Sequence, residues 1–260
     1  MKKLILSFLT LFLISMLKAQ NVGIGTSSPS ATLHVNGTFK VVDGTQGDGK
    51  ILTSNATGLA SWQLPLSSPP VNYPVVWICC NPWMTKNLDV SSYRNGDAIP
   101  KVTDNAAWAA LTTGAYCYYN NDSTLYAATY GKLYNRYAIN ESRGLAPEGW
   151  HIPTDFEWST LSSCLGGDAL AGGPLKEIGT THWNSPNTGA TNLSGFTGLP
   201  GGSRNDLGTF GEVGSSGLWW SSSEDSPGFF FFRSIYSIFD DLARSSSVPR
   251  LGLSVRCLRN

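Results

Sequence analysis

The sequence predicts an α+β fold: a loop-rich C-terminal domain of short strands with one or two small helices, preceded by a β-rich N-terminal segment. Three observations predict it. Apolar residues alternate in short runs split by turn dipeptides, only two stretches carry helical signals, and a proline- and serine-rich stretch separates two blocks of unlike composition.

The chain opens with "MKKLILSFLTLFLISMLKAQ", which has the form of a signal peptide over residues 1–20. Lys2 and Lys3 make the charged end, Leu4 to Leu17 the apolar run, and Ala19 or Gln20 the small-residue cleavage site. The apolar run is short for a membrane span and polar sequence follows at once, so a secreted or cell-surface protein with no membrane span after cleavage is expected. The chain has 18 basic and 18 acidic residues, and three of the basic ones lie in this leader. The remainder is slightly acidic, which gives no electrostatic reason to expect nucleic acid as a partner.

Residues 21–65 come next, with runs such as "ATLHVNGTFKVV" and "GKILTS" divided by Asn-Gly, Asp-Gly and Gly-Asp turns. Each run holds too few apolar residues to make a core alone, which leaves a flexible stalk or strands that bury their faces when chains associate. "VGIGTSSPSATLHVNGT" followed by "DGTQGDGKILTSNATGLASWQ" resembles the β-rich repeats of trimeric fibre proteins of phage tails and bacterial surfaces. That resemblance implies a fibre-like stalk and a homotrimer. The stretch "LPLSSPPVNYP" carries four prolines, and its residues 66–74 read as a linker.

Residues 75–260 hold eight of the nine tryptophans and all five cysteines. "TDNAAWAALTT" predicts a short helix capped by Thr103 or Asp104. "TDFEWSTLSSCLGG" predicts a better one: Thr154 and Glu157 form a capping box, Phe156, Leu161 and Leu165 an inward stripe, and Gly166-Gly167 the stop. "AYCYYNN", "LYNRYAI", "GLWWSSS", "FFFFRSIYSI" and "LGLSVRCLR" predict strands.

The chemistry-bearing residues point to no recognised catalytic pattern. No GxSxG elbow occurs, and the three histidines are His34, His151 and His182. His151, just before a capped helix, reads as a hydrogen-bonded structural residue. Asp155 and Glu157 face different ways at a helix start and favour its dipole. The alternative is a secreted enzyme of unrecognised type with a pocket around Cys117, His151 and Glu224, which requires a depressed thiol pKa at Cys117. Five cysteines leave at least one unpaired within the chain, and adjacent Cys79 and Cys80 are poorly placed to pair with each other.

The marks run in the order "WMTKNL", "YRNGDAIP", "YGKLYNRYAI", "GLAPEGWHIPTDFEW", "GGPLKEIGTTHW", "SGFTGLPGGSR", "GTFGEVGSSGLWWSSSE" and "LSVRCLRN". This series resembles the Fibrobacter succinogenes major paralogous domain over residues 75–260. "HIPTDFEW" and "SVRC" are more remotely similar to marks of formylglycine-generating-enzyme-like domains, whose fold is C-type-lectin-like. The resemblance implies a C-type-lectin-like head with its first and last strands close together; formylglycine-generating activity would require a reactive-cysteine motif, none precedes the C-terminal "RC", and no enzyme activity is expected. Trp150, Pro153, Thr154, Glu157 and Trp158 would then be structural, forming the joint between helix and sheet. Cys79, Cys117 and Cys257 fit the family positions, so a bridge is expected among these three, with Cys164 the free thiol.

The lectin-like resemblance further implies a face that binds a glycan or surface protein, and its expected residues are Arg204, Asn205, Asp206, Trp219, Trp220, Glu224 and Arg233. The plainer reading of Trp219 and Trp220 is that they staple the core. The run Phe229 to Phe232 is hard to bury on both faces and is a second place to expect a contact. A structural Ca²⁺ is expected at Asn120, Asn121 and Asp122, or at Glu224 and Asp225; the plainer reading of Asn-Asn-Asp is a turn.

Overall fold

In the N-terminal block, short runs of alternating character pair two by two. Val22–Ile24 (β1) and Leu33–Val35 (β2) lie parallel, with Val22 opposite Leu33 and Ile24 opposite Val35. Ile51–Ser54 (β3) and Ala60–Gln63 (β4) lie antiparallel. The computed structural model describes residues 21–44, 46–47, 50–54, 57–63 and 73–260. The expected leader and most of the expected linker lie outside the described residues. The chain divides into two units, Met1–Pro65 and Leu66–Asn260.

The second unit, the head, begins with a hairpin of Val75–Ile78 (β5) and Asn81–Met84 (β6). Its turn consists of Cys79 and Cys80 at φ of 55° and 66°, the left-handed geometry that a two-residue turn between twisted strands demands. Asn105–Ala109 (α1) follows, capped by the Asp104 carboxylate, which accepts the Ala107 N–H. Then come Tyr116–Cys117 (β7), Ser123–Tyr130 (α2, capped by Asp122) and Leu133–Tyr134 (β8), which pairs with β7.

Arg136–Ile139 (α3) lies where "LYNRYAI" predicts strand throughout; the Asn135 side chain accepts the Ala138 N–H and turns the chain into a helix. Trp150–His151 (β9) leads into Asp155–Cys164 (α4), and the capping box of Thr154 and Glu157 is present at its start. Phe156, expected to face inward, is 79% exposed. The buried side of α4 is Trp158, Leu161 and Ser162, and a residue two positions before Trp158 projects from nearly the opposite side of the helix.

Asp168–Leu175 (α5) is a helix that "GGPL" argues against. Close packing explains the glycines: a Cβ on Gly172 would stand 2.1 Å from the Asp241 carbonyl oxygen, and one on Gly173 2.4 Å from that of Gly189. Ser203–Arg204 (β10) pairs with Phe210–Gly211 (β11). A three-stranded antiparallel sheet follows, of Ser216–Ser226 (β12), Phe229–Tyr236 (β13) and Ala243–Ser247 (β14). Leu258–Arg259 (β15) closes a four-stranded sheet in the order β5-β6-β15-β9, so the first and last strands of the head share one sheet.

Tryptophans organise the interior. One cluster gathers Trp150 and Trp220 with Tyr134 and Val255; a second gathers Trp83, Trp158, Trp183 and Trp219 around Phe196; a third holds Trp108 with Cys117 and Tyr119. Trp83 and Trp158 bring their rings to 4.8 Å, fixing α4 on the four-stranded sheet. Among the described residues no helix is long and apolar enough to cross a membrane.

The disulfide is Cys79–Cys164, with Cα atoms 6.2 Å apart. It corrects both cysteine expectations: Cys164 is bridged, and no bridge joins Cys79, Cys117 and Cys257. Cys117 and Cys257 lie fully buried in different core clusters, whereas the β5–β6 turn meets the C-terminal end of α4. Cys80 is free and exposed.

Candidate functional site

Most of the face expected to meet a ligand turns inward. Trp219 and Trp220 are 1% and 0% exposed. The Trp219 indole N–H donates to Asn87 Oδ1 at 2.8 Å, and that of Trp220 to the Tyr134 carbonyl at 2.9 Å. Strand β12 is buried on both faces from Ser216 to Ser221, so two consecutive tryptophans can both be buried.

Arg204 and Arg233 are equally inaccessible. Arg204 donates to the carbonyls of Gly208, Val102, Thr103 and Asp104 and stacks between the rings of Trp108 and Phe210. Arg233 holds Asp155 at 3.1 Å and Asp168 at 3.2 Å, tying β13 to α4 and α5. These four residues are internal supports rather than solvent-facing contacts. Asn205 accepts the Leu207 and Thr209 N–H groups and shapes the β10–β11 turn, with half-buried Asp206 beside it. Glu224 is exposed and accepts the Gly228 N–H at the tip of the β12–β13 hairpin. In the Phe run, Phe230 is buried and Phe229 exposed, while Phe231 lies under the Arg244 guanidinium at 3.8 Å.

Two of the side chains expected to hold calcium make other hydrogen bonds. Asp122 caps α2 through Leu125, Asn121 donates to the Thr103 carbonyl, and Asn120 and Asn121 take left-handed turn geometry. Asn121 Oδ1 is buried without a hydrogen-bond partner. Among the described residues no three His, Cys, Asp or Glu side chains gather as a metal site.

The clefts on the head include two lined by described residues. The first, about 360 Å³, is lined by Arg94, Leu145, His151, Thr154 and Ser222 among others. His151 spans it from β9: Nδ1 lies 2.6 Å from Asn260 Oδ1, and Nε2 2.8 Å from Glu157 Oε1. Burial pushes the Glu157 carboxyl up, but the Thr154 N–H and His151 outweigh it and hold the group below its ordinary value. Arg94 donates from Nε and Nη2 to the Ala146 carbonyl.

The second cleft, about 340 Å³, has Thr85, Lys86, Thr129, His182, Thr197 and Arg256 in its wall. His182 Nδ1 meets both Glu177 carboxylate oxygens, at 2.9 and 2.8 Å, and its ring stands edge-on to Tyr130. Arg256 is buried and donates to Asn87, Met84 and Phe196. No single stretch of sequence marks this cleft, because Lys86, His182 and Arg256 lie far apart along the chain. The available signal is that they belong to the marks "WMTKNL", "TTHW" and "SVRC".

The fold defines an α+β, loop-rich head that carries these recesses. The family model of the Fibrobacter succinogenes major domain matches residues 76–259, nearly the whole head, and the chain belongs to that family. No curated protein and no solved structure matches the chain.

Proposed function

We propose that this chain is an exported, non-enzymatic cell-surface or fibre protein, whose C-type-lectin-like head binds a glycan or surface protein and whose N-terminal unit assembles as a homotrimeric stalk. The observation that carries this reading is the contrast between the two units. The head has its own tryptophan-rich core. The N-terminal unit leaves Val22, Ile24, Leu33, Phe39, Val42, Leu52 and Leu59 exposed, at between 39% and 69%.

At roughly 100 Å² apiece, these side chains offer about 700 Å² per protomer, close to the roughly 800 Å² per partner of a standard interface. Val22 and Leu33 sit opposite one another in register, so β1 and β2 offer their apolar side chains on one face. Other copies of the chain are the natural cover, and several heads on one stalk gain avidity from weak single sites.

The rival enzyme reading needs a reactive thiol. Cys117 is fully buried and its thiol is pushed up to about 12 by that burial, the opposite of an activated nucleophile. His151 and Glu224 are each engaged elsewhere.

Light scattering on the purified protein, followed by glycan and cell-envelope arrays with calcium and with chelator, tests the reading. A mass of three chains with capture of a defined glycan or surface protein supports it. A trimer that captures nothing favours a purely structural fibre tip, and a monomer that captures nothing overturns both.

A further inference from the structure

The second cleft has a one-sided charge. Arg256 is 1% exposed, and its guanidinium is held by neutral acceptors: the Asn87 carboxamide oxygen and the Met84 and Phe196 carbonyls. The face of the Phe196 ring lies 4.3 Å from its central carbon. Arg233, equally buried, has two carboxylates; Arg256 has none bonded to it. A buried cation without a countercharge is costly, and carbonyl dipoles and ring faces offset only part of that cost. Burial draws Arg256 down to about 9, in keeping with this shortage.

Lys86 borders the same cleft, is exposed, and forms no ion pair among the described residues. The carboxylate bonded to the wall, Glu177, is taken up by His182 Nδ1, which leaves the other ring nitrogen for a ligand. Thr197 adds a separate sign of a built site. It is β-branched yet sits at φ 53°, held there by Asn192, whose side chain accepts the Thr197 N–H and donates to its hydroxyl. Such geometry is strained and gathers at ligand sites.

We infer that this cleft binds a sugar carboxylate, one hexuronic-acid unit of an acidic polysaccharide, with the carboxylate at exposed Lys86, in the field of the buried Arg256 charge, and the ring hydroxyls facing Thr129 and His182. The inference rests on the reading of the chain as a ligand-binding head. The volume suits a single sugar unit, since binding pockets begin at roughly 300 Å³. Hydroxyl and imidazole groups beside the two cations suit a polyhydroxylated ligand.

The test is calorimetric titration of the full-length protein with sodium glucuronate, glucose and acetate, each to about 10 mM, a range that reaches weak single sites. Glucuronate is expected to bind at least about tenfold more tightly than either control, because glucose lacks the charge and acetate lacks the hydroxyls. Lys86→Gln should weaken glucuronate about five- to tenfold with Tm unchanged, and Arg94→Gln, in the other cleft, should leave it unaffected.

Equal binding of glucuronate and glucose overturns the inference, as does indifference to Lys86→Gln. Glucuronate and acetate binding alike would mark a bare carboxylate site and overturn the saccharide. Should arrays capture a neutral glycan or a protein while glucuronate gives no heat, this inference falls and the binding head stands. Silence in both removes both.

Discussion

Arg256 donates two hydrogen bonds to one atom, the Asn87 carboxamide oxygen, from Nε at 3.1 Å and Nη2 at 2.8 Å. Trp219 adds a third to the same oxygen, and the Asn87 amide donates onward to the Tyr130 carbonyl and Ser254 hydroxyl. Asn87→Ala therefore strands a buried cation and an indole N–H together. A loss of about 3 kcal/mol is expected in urea unfolding, well beyond the effect of an exposed truncation such as Leu207→Ala. A loss under about 1 kcal/mol would mean that the cation finds other partners or water.

The Cys79–Cys164 bridge closes a loop of 85 residues. Cys164→Ser should lower stability by about 2–4 kcal/mol under oxidising conditions. Dithiothreitol should lower the Tm of the native protein and leave that of the variant in place.

Glu157 is held below its ordinary carboxyl value of 4.5 by Thr154 and His151 against the opposing effect of burial. A depressed folded-state pKa stabilises the protein above the unfolded value, and that contribution disappears as pH falls through the folded value. Stability should fall as pH drops below about 4.5, and Glu157→Gln should flatten that slope while costing about 1 kcal/mol at neutral pH through the lost cap. Equal acid slopes for the two proteins would remove Glu157 from this role.

Trp219 packs against bare backbone. A Cβ on Gly217 would lie 2.4 Å from the Trp219 ring and 2.8 Å from the Leu199 carbonyl oxygen. Gly217→Ala should cost about 1–3 kcal/mol by overpacking, with a shifted tryptophan emission. Native emission and Tm would show that the ring has room to move.

Leu33, opposite Val22 in β2, is 54% exposed. Leu33→Asp should convert the proposed trimer to monomer in light scattering and leave the thermal unfolding of the head unchanged, since the head has its own core. A trimer that survives the charge places the interface elsewhere.

The order of marks from "WMTKNL" to "SVRC" identifies the family, and the match over residues 76–259 agrees with it. Local signals were also legible: Thr154 and Glu157 form their capping box, Asp104 caps α1, and Gly166, at φ 103°, stands just past the end of α4. Each depends on residues a few positions apart, whose interactions are set by backbone geometry alone.

The rest depends on which distant segments meet. Alternation along β12 assigns one of Trp219 and Trp220 outward, but neighbours on both faces bury them both. The cysteine that pairs with Cys79 is decided by where the β5–β6 turn meets α4, and the helix over "GGPL" by the backbones against which Gly172 and Gly173 pack. The cleft beside Lys86, His182 and Arg256 has no local signature at all. By itself the sequence determined the family, the caps and the short-strand texture of the head; only the tertiary structure decided burial, the disulfide and the clefts, because those are properties of contacts between segments that sequence spacing does not encode.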